Sequence, residues 1–436
     1  MTVAVTAPLR ARIPVSFVRI ANRLGWPAIV PALVAFSVLA SVGVADGGLF
    51  PRAWRLATLA LASIAGAALL ARRRLGLGRA EWLVIGALGA FTGWTALSGL
   101  WSGELANGFL NAERSLVYPA GMLGALLVVD RWSVAHLLAG VLAGVTLVCA
   151  YGLGIYVLTS PPLDPVQGEL LFQPLGYANA VGIVATIGIL LSLGLALAAW
   201  RVSLRLLALA PLAVLAPTLF FAESRGSMLV LALGAVVLLS LSGRLSLRVA
   251  AALGTVALLA VVAFAASGTR AFSGELRIQY WKVAWWDYRE HLWLGSGAGT
   301  FGEYWLRHRP VDVSVRTAHT LYLQALAELG PVGLVLILVA VLTPLAVLRR
   351  RRDPVVAAAA APYLAFVLHA GVDWDWELPA VTLAGFFCGA ALLAAGRGAV
   401  RPLRPRERFG LLVPLAVIAV LACVRLQTGG GLPFGP

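Results

Sequence analysis

His319 stands where polar sequence gives way to apolar sequence, at the head of A-H-T-L-Y-L-Q-A-L-A-E-L-G. An imidazole at such a mouth, near its ordinary pKa of about 6.5, can accept a proton from an alcohol. Held by a backbone carbonyl, it would instead be an interfacial structural group. The spacing predicts a helix that begins at His319 and places it on one face with Tyr322 or Leu323, Leu326 and Gly330. Glu328, nine residues on, is not its helical partner. Arg277 opens RIQYWKVAWWDYREHLWLGSG, and Arg225 sits in FFAESRGSMLV with apolar sequence on both sides. An arginine in apolar surroundings is costly, so it pairs or faces a wet cavity. For Arg225 the plainer alternatives are snorkelling or pairing with Glu223.

Further polar groups cluster around these. In LGSGAGTF (294–301) the backbone N–H groups of Gly297 and Gly299 could meet an anion, the alternative being a plain loop. Arg316 and Tyr322 flank His319 and join Gly297 and Gly299 as expected substrate-binding residues. Asn179, in PLGYANAVG, is either a substrate ligand or a helix cap. HAGVDWDWELP carries Asp373, Asp375 and Glu377, which could hold a divalent ion or pair with the loop arginines. Pairing is the expectation, and no metal is assigned. Trp101 and Ser102, in WTALSGLWSG, read as interfacial anchors. Cys149, Cys388 and Cys423 all lie in apolar runs, which suggests neither a disulfide framework nor a metal cluster.

The elements that position these residues follow from composition. Of 436 residues, 60% are hydrophobic and 12% charged, with a mean hydropathy of +0.90. That is too little polar material for the skin of a soluble globule. The chain reads as an all-α polytopic integral membrane protein with about 12–13 transmembrane helices and one long extracytoplasmic loop carrying an amphipathic helix. Apolar runs long enough to span lie at about 27–46, 54–72, 82–100, 112–129, 134–158, 178–199, 206–222, 226–242 and 249–266. After the loop come about 319–347, 355–371, 379–396 and 410–425, the last untested by any charge beyond Arg425. The organisation is a basic cytoplasmic N-terminus (1–26), helices 1–9 (27–266), the loop (267–318), helices 10–13 (319–425) and a short tail (426–436).

Charge sorts the connections. The net charge of +15 comes with arginines gathered between apolar runs, so it marks cytoplasmic loops and not nucleic-acid binding. The arginine-rich connections are 72–79, Arg131, Arg201 with Arg205, Arg244 with Arg248, 349–352 and Arg397 through Arg408. The alternate connections carry Glu104, Asp164, Glu169 and the long loop, with seven positive and five negative side chains. This places the loop outside the cytoplasmic membrane. Within the loop, Ile278, Trp281, Trp285 and Leu292 share a helical face, as in a helix lying along the membrane surface. No internal repeat of the transporter kind is evident about residue 218.

Taken together, WTALSGLWS, LGYANAVG, the SRG of Ser224–Gly226, RIQYW, GSGAGTF and AHTLYLQALAELGPVG resemble the O-antigen ligase/polymerase superfamily of bacterial membrane glycosyltransferases. The resemblance runs from about Trp94 to Pro379. In that family a long outer loop separates the ninth and tenth spans. An arginine at the SRG position, another opening the loop helix, and a histidine at the start of the tenth span are essential. They match Arg225, Arg277 and His319. The asparagine that usually follows the histidine is Thr320 here, and twelve spans are usual.

The resemblance implies a glycan donor on a polyprenyl diphosphate, with Arg225 and Arg277 clamping the diphosphate and His319 acting on the acceptor hydroxyl. It implies inversion, no metal and no cofactor. The partners would be the lipid-linked donor, a glycan, lipid or protein hydroxyl acceptor, and the bilayer. A single long loop leans toward the ligase branch over the polymerases and protein O-oligosaccharyltransferases. Two rivals stand beside this reading. A small-anion transporter predicts charges near the midplane of the spans. A structural partner of an envelope-polymer machine predicts that Arg225, Arg277 and His319 are replaceable.

Overall fold

In a computed structural model, residues 26–72, 75–159, 164, 166–246, 248, 249, 252, 253, 255, 274–349 and 353–428 are described. The helices are α1 (Trp26–Val44), α2 (Pro51–Ala71), α3 (Arg79–Ser102), α4 (Leu105–Ser115), α5 (Val117–Val128) and α6 (Val134–Thr159). There follow α7 (Ala178–Ala198), α8 (Val202–Leu209), α9 (Leu212–Ala222) and α10 (Arg225–Leu241). The loop holds α11 (Gly274–Glu290) and α12 (Phe301–His308). The chain closes with α13 (Leu321–Leu342), α14 (Pro354–His369), α15 (Pro379–Gly396) and α16 (Pro405–Gln427). The protein is an all-α, multi-pass membrane protein.

Among the described residues, eight helices are long and apolar enough to cross a membrane, and three shorter ones are apolar. The run at 112–129 divides into α4 and α5 at Leu116, and 206–222 is the single candidate span Val202–Ala222. The last apolar run is a full helix, α16, and Arg425 near its end pairs with Glu113 of α4. The ninth run and the basic N-terminal stretch lie almost wholly outside the described residues, as does the tail beyond Thr428.

Helix starts follow local chemistry. Pro51, Pro354, Pro379 and Pro405 occupy first-turn positions, where a missing N–H costs nothing. Asp353 caps α14 by accepting from Val355 N at 2.8 Å. The centre of the bundle is built from α5, α7, α14 and α15, whose side chains are buried nearly all round. Without a hydrophobic drive inside lipid, such helices gain from close backbone approach. At Gly140 of α6 a Cβ would lie 2.6 Å from the Cα of Ala32 on α1, so only glycine permits that crossing.

The connections segregate to two ends. At one, Arg397 donates to Glu81 at 2.6 Å and to the carbonyls of Val129 and Leu126. There too Arg72 reaches the Leu127 carbonyl and Asp130, and Arg408 reaches the Leu69 and Arg72 carbonyls. The arginine-rich connections thus double as caps for helix ends whose carbonyls lack partners. The other end gathers 103–116, 166–177, 223–226, the described part of the loop (274–318) and 370–378.

The loop is more than one surface helix. Tyr280, Val283 and Ala284 of α11 pack with Phe301, Tyr304, Trp305, Ala318 and Ala327 as a separate small core. Ile278, Trp285 and Leu292, on the face expected to be apolar, are exposed. The helix therefore buries a different face in the protein and leaves that one outward.

Glu81 is 2% exposed. Removing its partner strands a buried carboxylate, a loss of about 3–5 kcal/mol. Arg397→Ala is expected to lower the thermal midpoint of the detergent-solubilised chain, and Arg397→Lys to restore part of it.

Candidate functional site

The site is assembled around the short connection between α14 and α15. Asp373, 1% exposed, accepts from Arg277 Nη2 at 2.6 Å, Asn179 Nδ2 at 2.7 Å, the Tyr177 hydroxyl at 3.0 Å and Trp374 N at 2.8 Å. A carboxylate can accept about four such bonds, so Asp373 is saturated. The two chain-distant residues expected to bind substrate, Arg277 and Asn179, therefore meet on one side chain. Burial alone would loosen the proton of Arg277, but Asp373, together with Tyr177 and Asp375, more than offsets this and keeps it a firm cation.

Asn179 is not a cap. Tyr177 holds the N-cap position of α7, and Asn179 falls in the first turn with its amide spent on Asp373 and the Tyr177 hydroxyl. Nor do all three carboxylates pair with loop arginines. Asp373 does, but Glu377 pairs with Arg114 of α4 at 2.8 Å, and Asp375 faces His369 at 3.3 Å. His369, Asp373 and Asp375 each bring one ligand atom within 4.8 Å of the others, a spacing a divalent ion could use. Those atoms are largely engaged: a dication there would compete with the Arg277 guanidinium for Asp373.

His319 is not the first residue of its helix. It takes a left-handed φ of 53°, and Thr320 is the N-cap of α13, so the expected face shared with Leu326 and Gly330 does not exist. Nδ1 lies 3.2 Å from the Thr317 carbonyl, and the ring lies on Tyr280 with centroids 4.9 Å apart. With Nδ1–H donated to that carbonyl, Nε2 keeps the lone pair available for a proton. Burial lowers the pKa, Asp373 and the Thr317 contact oppose it, and the net direction is down. The ring is thus neutral, as a base must be, near pH 7.

The glycine loop turns out to be a brace. Pro331 has no N–H, and Gly330 breaks α13 at φ 65°, ψ −170°, so carbonyls around the kink lose helical donors. In an apolar bundle these must be satisfied elsewhere. Ser296 N donates to Ala327 O at 3.0 Å, Gly297 N to Glu328 O at 2.8 Å, and Trp94 Nε1 to Leu329 O at 2.9 Å. The Glu328 carboxylate accepts from Gly299 N at 3.0 Å and Phe301 N at 3.2 Å. The loop does cradle an acidic side chain, but it is the protein's own Glu328. The N–H groups of Gly297 and Gly299 are therefore committed within the protein. Trp101 similarly donates to Gly295 O, and Ser98 accepts from Ala298 N, so WTALSGLWS docks this loop as well as anchoring α3.

The remaining expected residues occupy the same end. Arg225 is exposed at the first position of α10, directly after the cap Ser224, whose hydroxyl accepts from Ser227 N. Arg316 is exposed, and its backbone packs on Gly302. The Tyr322 hydroxyl donates to Val367 O at 2.7 Å and its ring supports Gly371, so it braces α14.

Beneath the site lies a cavity with apolar walls, including Leu88, Phe91, Ile337, Val341, Phe366 and Phe386, and a polar rim of Asn111, Arg114, Gln324, Trp376 and Glu377. Gln324 joins this rim to His319: its Oε1 accepts from Ala318 N at 3.2 Å and its Nε2 reaches Glu377 at 3.4 Å. Arg114 Nε and Trp376 Nε1 are buried without a hydrogen-bond partner among the described residues.

Sequence reasoning passed over Tyr177, Arg114, His369 and Asp287, and weighed Glu328 only as a partner of His319. Glu328 and His369 carry a signal, each being an ionisable group embedded in an apolar run. Asp287, fully buried, accepts from Ser296 Oγ at 2.9 Å and faces His291; burial raises its pKa to about 6. Replacing Asp373 by alanine leaves the largely buried Arg277 without its counter-charge. Asp373→Ala should cost about 3–5 kcal/mol in a denaturation midpoint series. Glu328→Ala, which frees two backbone donors, should cost about 1–3 kcal/mol and raise proteolysis within 291–301.

No curated protein matches the chain. The family model described as O-antigen ligase matches residues 210–338, a stretch that contains Arg225, Arg277 and His319. That match, laid over this site, supports membership of the O-antigen ligase/polymerase superfamily.

Proposed function

We propose that the chain transfers a glycan from a polyprenyl diphosphate to an acceptor hydroxyl at the outer face of the cytoplasmic membrane, as an O-antigen ligase-like enzyme. The observation that carries this reading is the meeting of a fixed cation, Arg277 on Asp373, with a neutral histidine, His319, at one end of a membrane bundle. Family membership implies in general a lipid-linked glycan donor and a glycan or lipid acceptor.

In this mechanism Arg277 and the exposed Arg225 bind the diphosphate and take up the charge that grows as it leaves. His319 Nε2 accepts the proton of the acceptor hydroxyl as its oxygen attacks the anomeric carbon. The carbon–diphosphate bond breaks on the opposite side, so the anomeric configuration inverts. The diphosphate is already a competent leaving group, so positioning and charge stabilisation contribute more than base strength. The cavity below gives the lipid-linked substrates an apolar wall beside a polar rim. No step needs a metal, and the arginine-rich connections at the far end support an outward-facing site.

The test is release of polyprenyl diphosphate by full-length protein in nanodiscs, with candidate acceptors and with or without a chelator. Acceptor-dependent release should survive chelation and fall by about 100-fold or more in Arg277→Ala and His319→Ala. Release abolished by chelation would shift the chemistry to His369, Asp373 and Asp375. Anion uptake without release would favour a transporter. Because the pKa of His319 lies below its ordinary value, the base form predominates at pH 7. The acid limb of kcat/KM should therefore lie below the range of an ordinary imidazole, and His319→Ala should abolish that limb.

A further inference from the structure

We propose that Ser227, His369 and Asp375 form a buried positioning chain that fixes the first turn of α10, and with it Arg225, against the connection holding Arg277. The inference rests on the reading in which both arginines act on one diphosphate.

Ser227 is fully buried, and His369 and Asp375 are each 1% exposed. They come from α10, α14 and the 3-10 turn Asp375–Glu377. His369 Nε2 lies 3.2 Å from Ser227 Oγ, and Nδ1 lies 3.3 Å from Asp375 Oδ1. Ser224 Oγ donates to Ser227 Oγ at 2.8 Å and accepts from Ser227 N at 3.4 Å. The types match a nucleophilic triad, but a serine with no exposed surface has nothing to attack, so the chain positions and does not react.

What it positions is specific. Gly226 lies against the imidazole, where a Cβ would come within 3.3 Å of His369 Nε2. Arg225 is therefore held between two pinned residues, Ser224 and Gly226, while its own side chain remains exposed. Two residues before Asp375, Asp373 grips Arg277. One connection thereby sets both cations, from two helices far apart in sequence. Buried polar networks of this kind are retained where they fix geometry.

The test combines distance with turnover. Full-length chain with Cys423→Ser would carry nitroxide labels at Met228→Cys and Trp286→Cys, both exposed positions. His369→Ala and Asp375→Asn should broaden or shift the distance distribution, and the gentler Ser227→Ala should do so less. Unchanged distributions in all three would overturn the proposal, whatever the activity. In the release assay His369→Ala should lower kcat by about tenfold and change donor KM by less than about threefold. In an Arg225→Ala background the same substitution should lower kcat by less than about twofold. Effects that multiply fully in the double variant would also overturn it. Absence of release by the native chain would sink the proposed function alone, because the distance measurement does not depend on turnover.

Discussion

A carboxylate taken out of water must find cations and donors, and Asp373 finds them on three separate stretches of chain. Its four partners fix the start of α7, the opening of α11 and the α14–α15 connection relative to one another. Breaking such a pair by removing one partner is far costlier than the pair is worth. That asymmetry gives the arrangement its specificity: alternative packings of these elements would strand a charge. Glu377 with Arg114 and Asp375 with His369 extend the same logic to α4 and to α10. A connection of a few residues thus organises an entire end of the bundle.

A second constraint comes from the broken helix α13. The Gly330–Pro331 kink releases carbonyls inside an apolar bundle, and the glycine loop and Trp94 supply the missing donors. Positive φ at Gly295, Gly297 and Gly299 lets that loop fold back so closely. At Gly295 a Cβ would sit 2.3 Å from the backbone of Glu328. The long loop is consequently locked to the membrane bundle, and the segment leading to His319 inherits that rigidity.

Much of this was legible beforehand, for physical reasons. Spanning helices declare themselves by length and hydropathy, and the arginine-rich connections separate from the others by charge alone. Arg277, Arg225 and His319 stood out as polar groups where apolar sequence begins or ends. What sequence could not convey was who satisfies whom. Gly297 and Gly299 looked free to bind an outside anion because Glu328, distant in sequence, gave no sign of approaching them. Asn179 looked like a cap because its neighbour Tyr177 differs little in context. Periodicity starts the helix at His319 because a left-handed φ at a non-glycine residue has no periodic signature. Each of these depends on partners supplied by tertiary structure.

The family match and the geometry meet in one picture: a guanidinium fixed on Asp373 beside the His319 imidazole, above a cavity with apolar walls, at one end of a multi-pass bundle. Its most direct test is an electron cryomicroscopy structure of the full chain in nanodiscs with a polyprenyl diphosphate bound. The account predicts the diphosphate within hydrogen-bonding distance of Arg277 and Arg225, beside His319, with Asp373 still on Arg277. A diphosphate seated at the opposite end, among Arg72, Arg397 and Arg408, would contradict it.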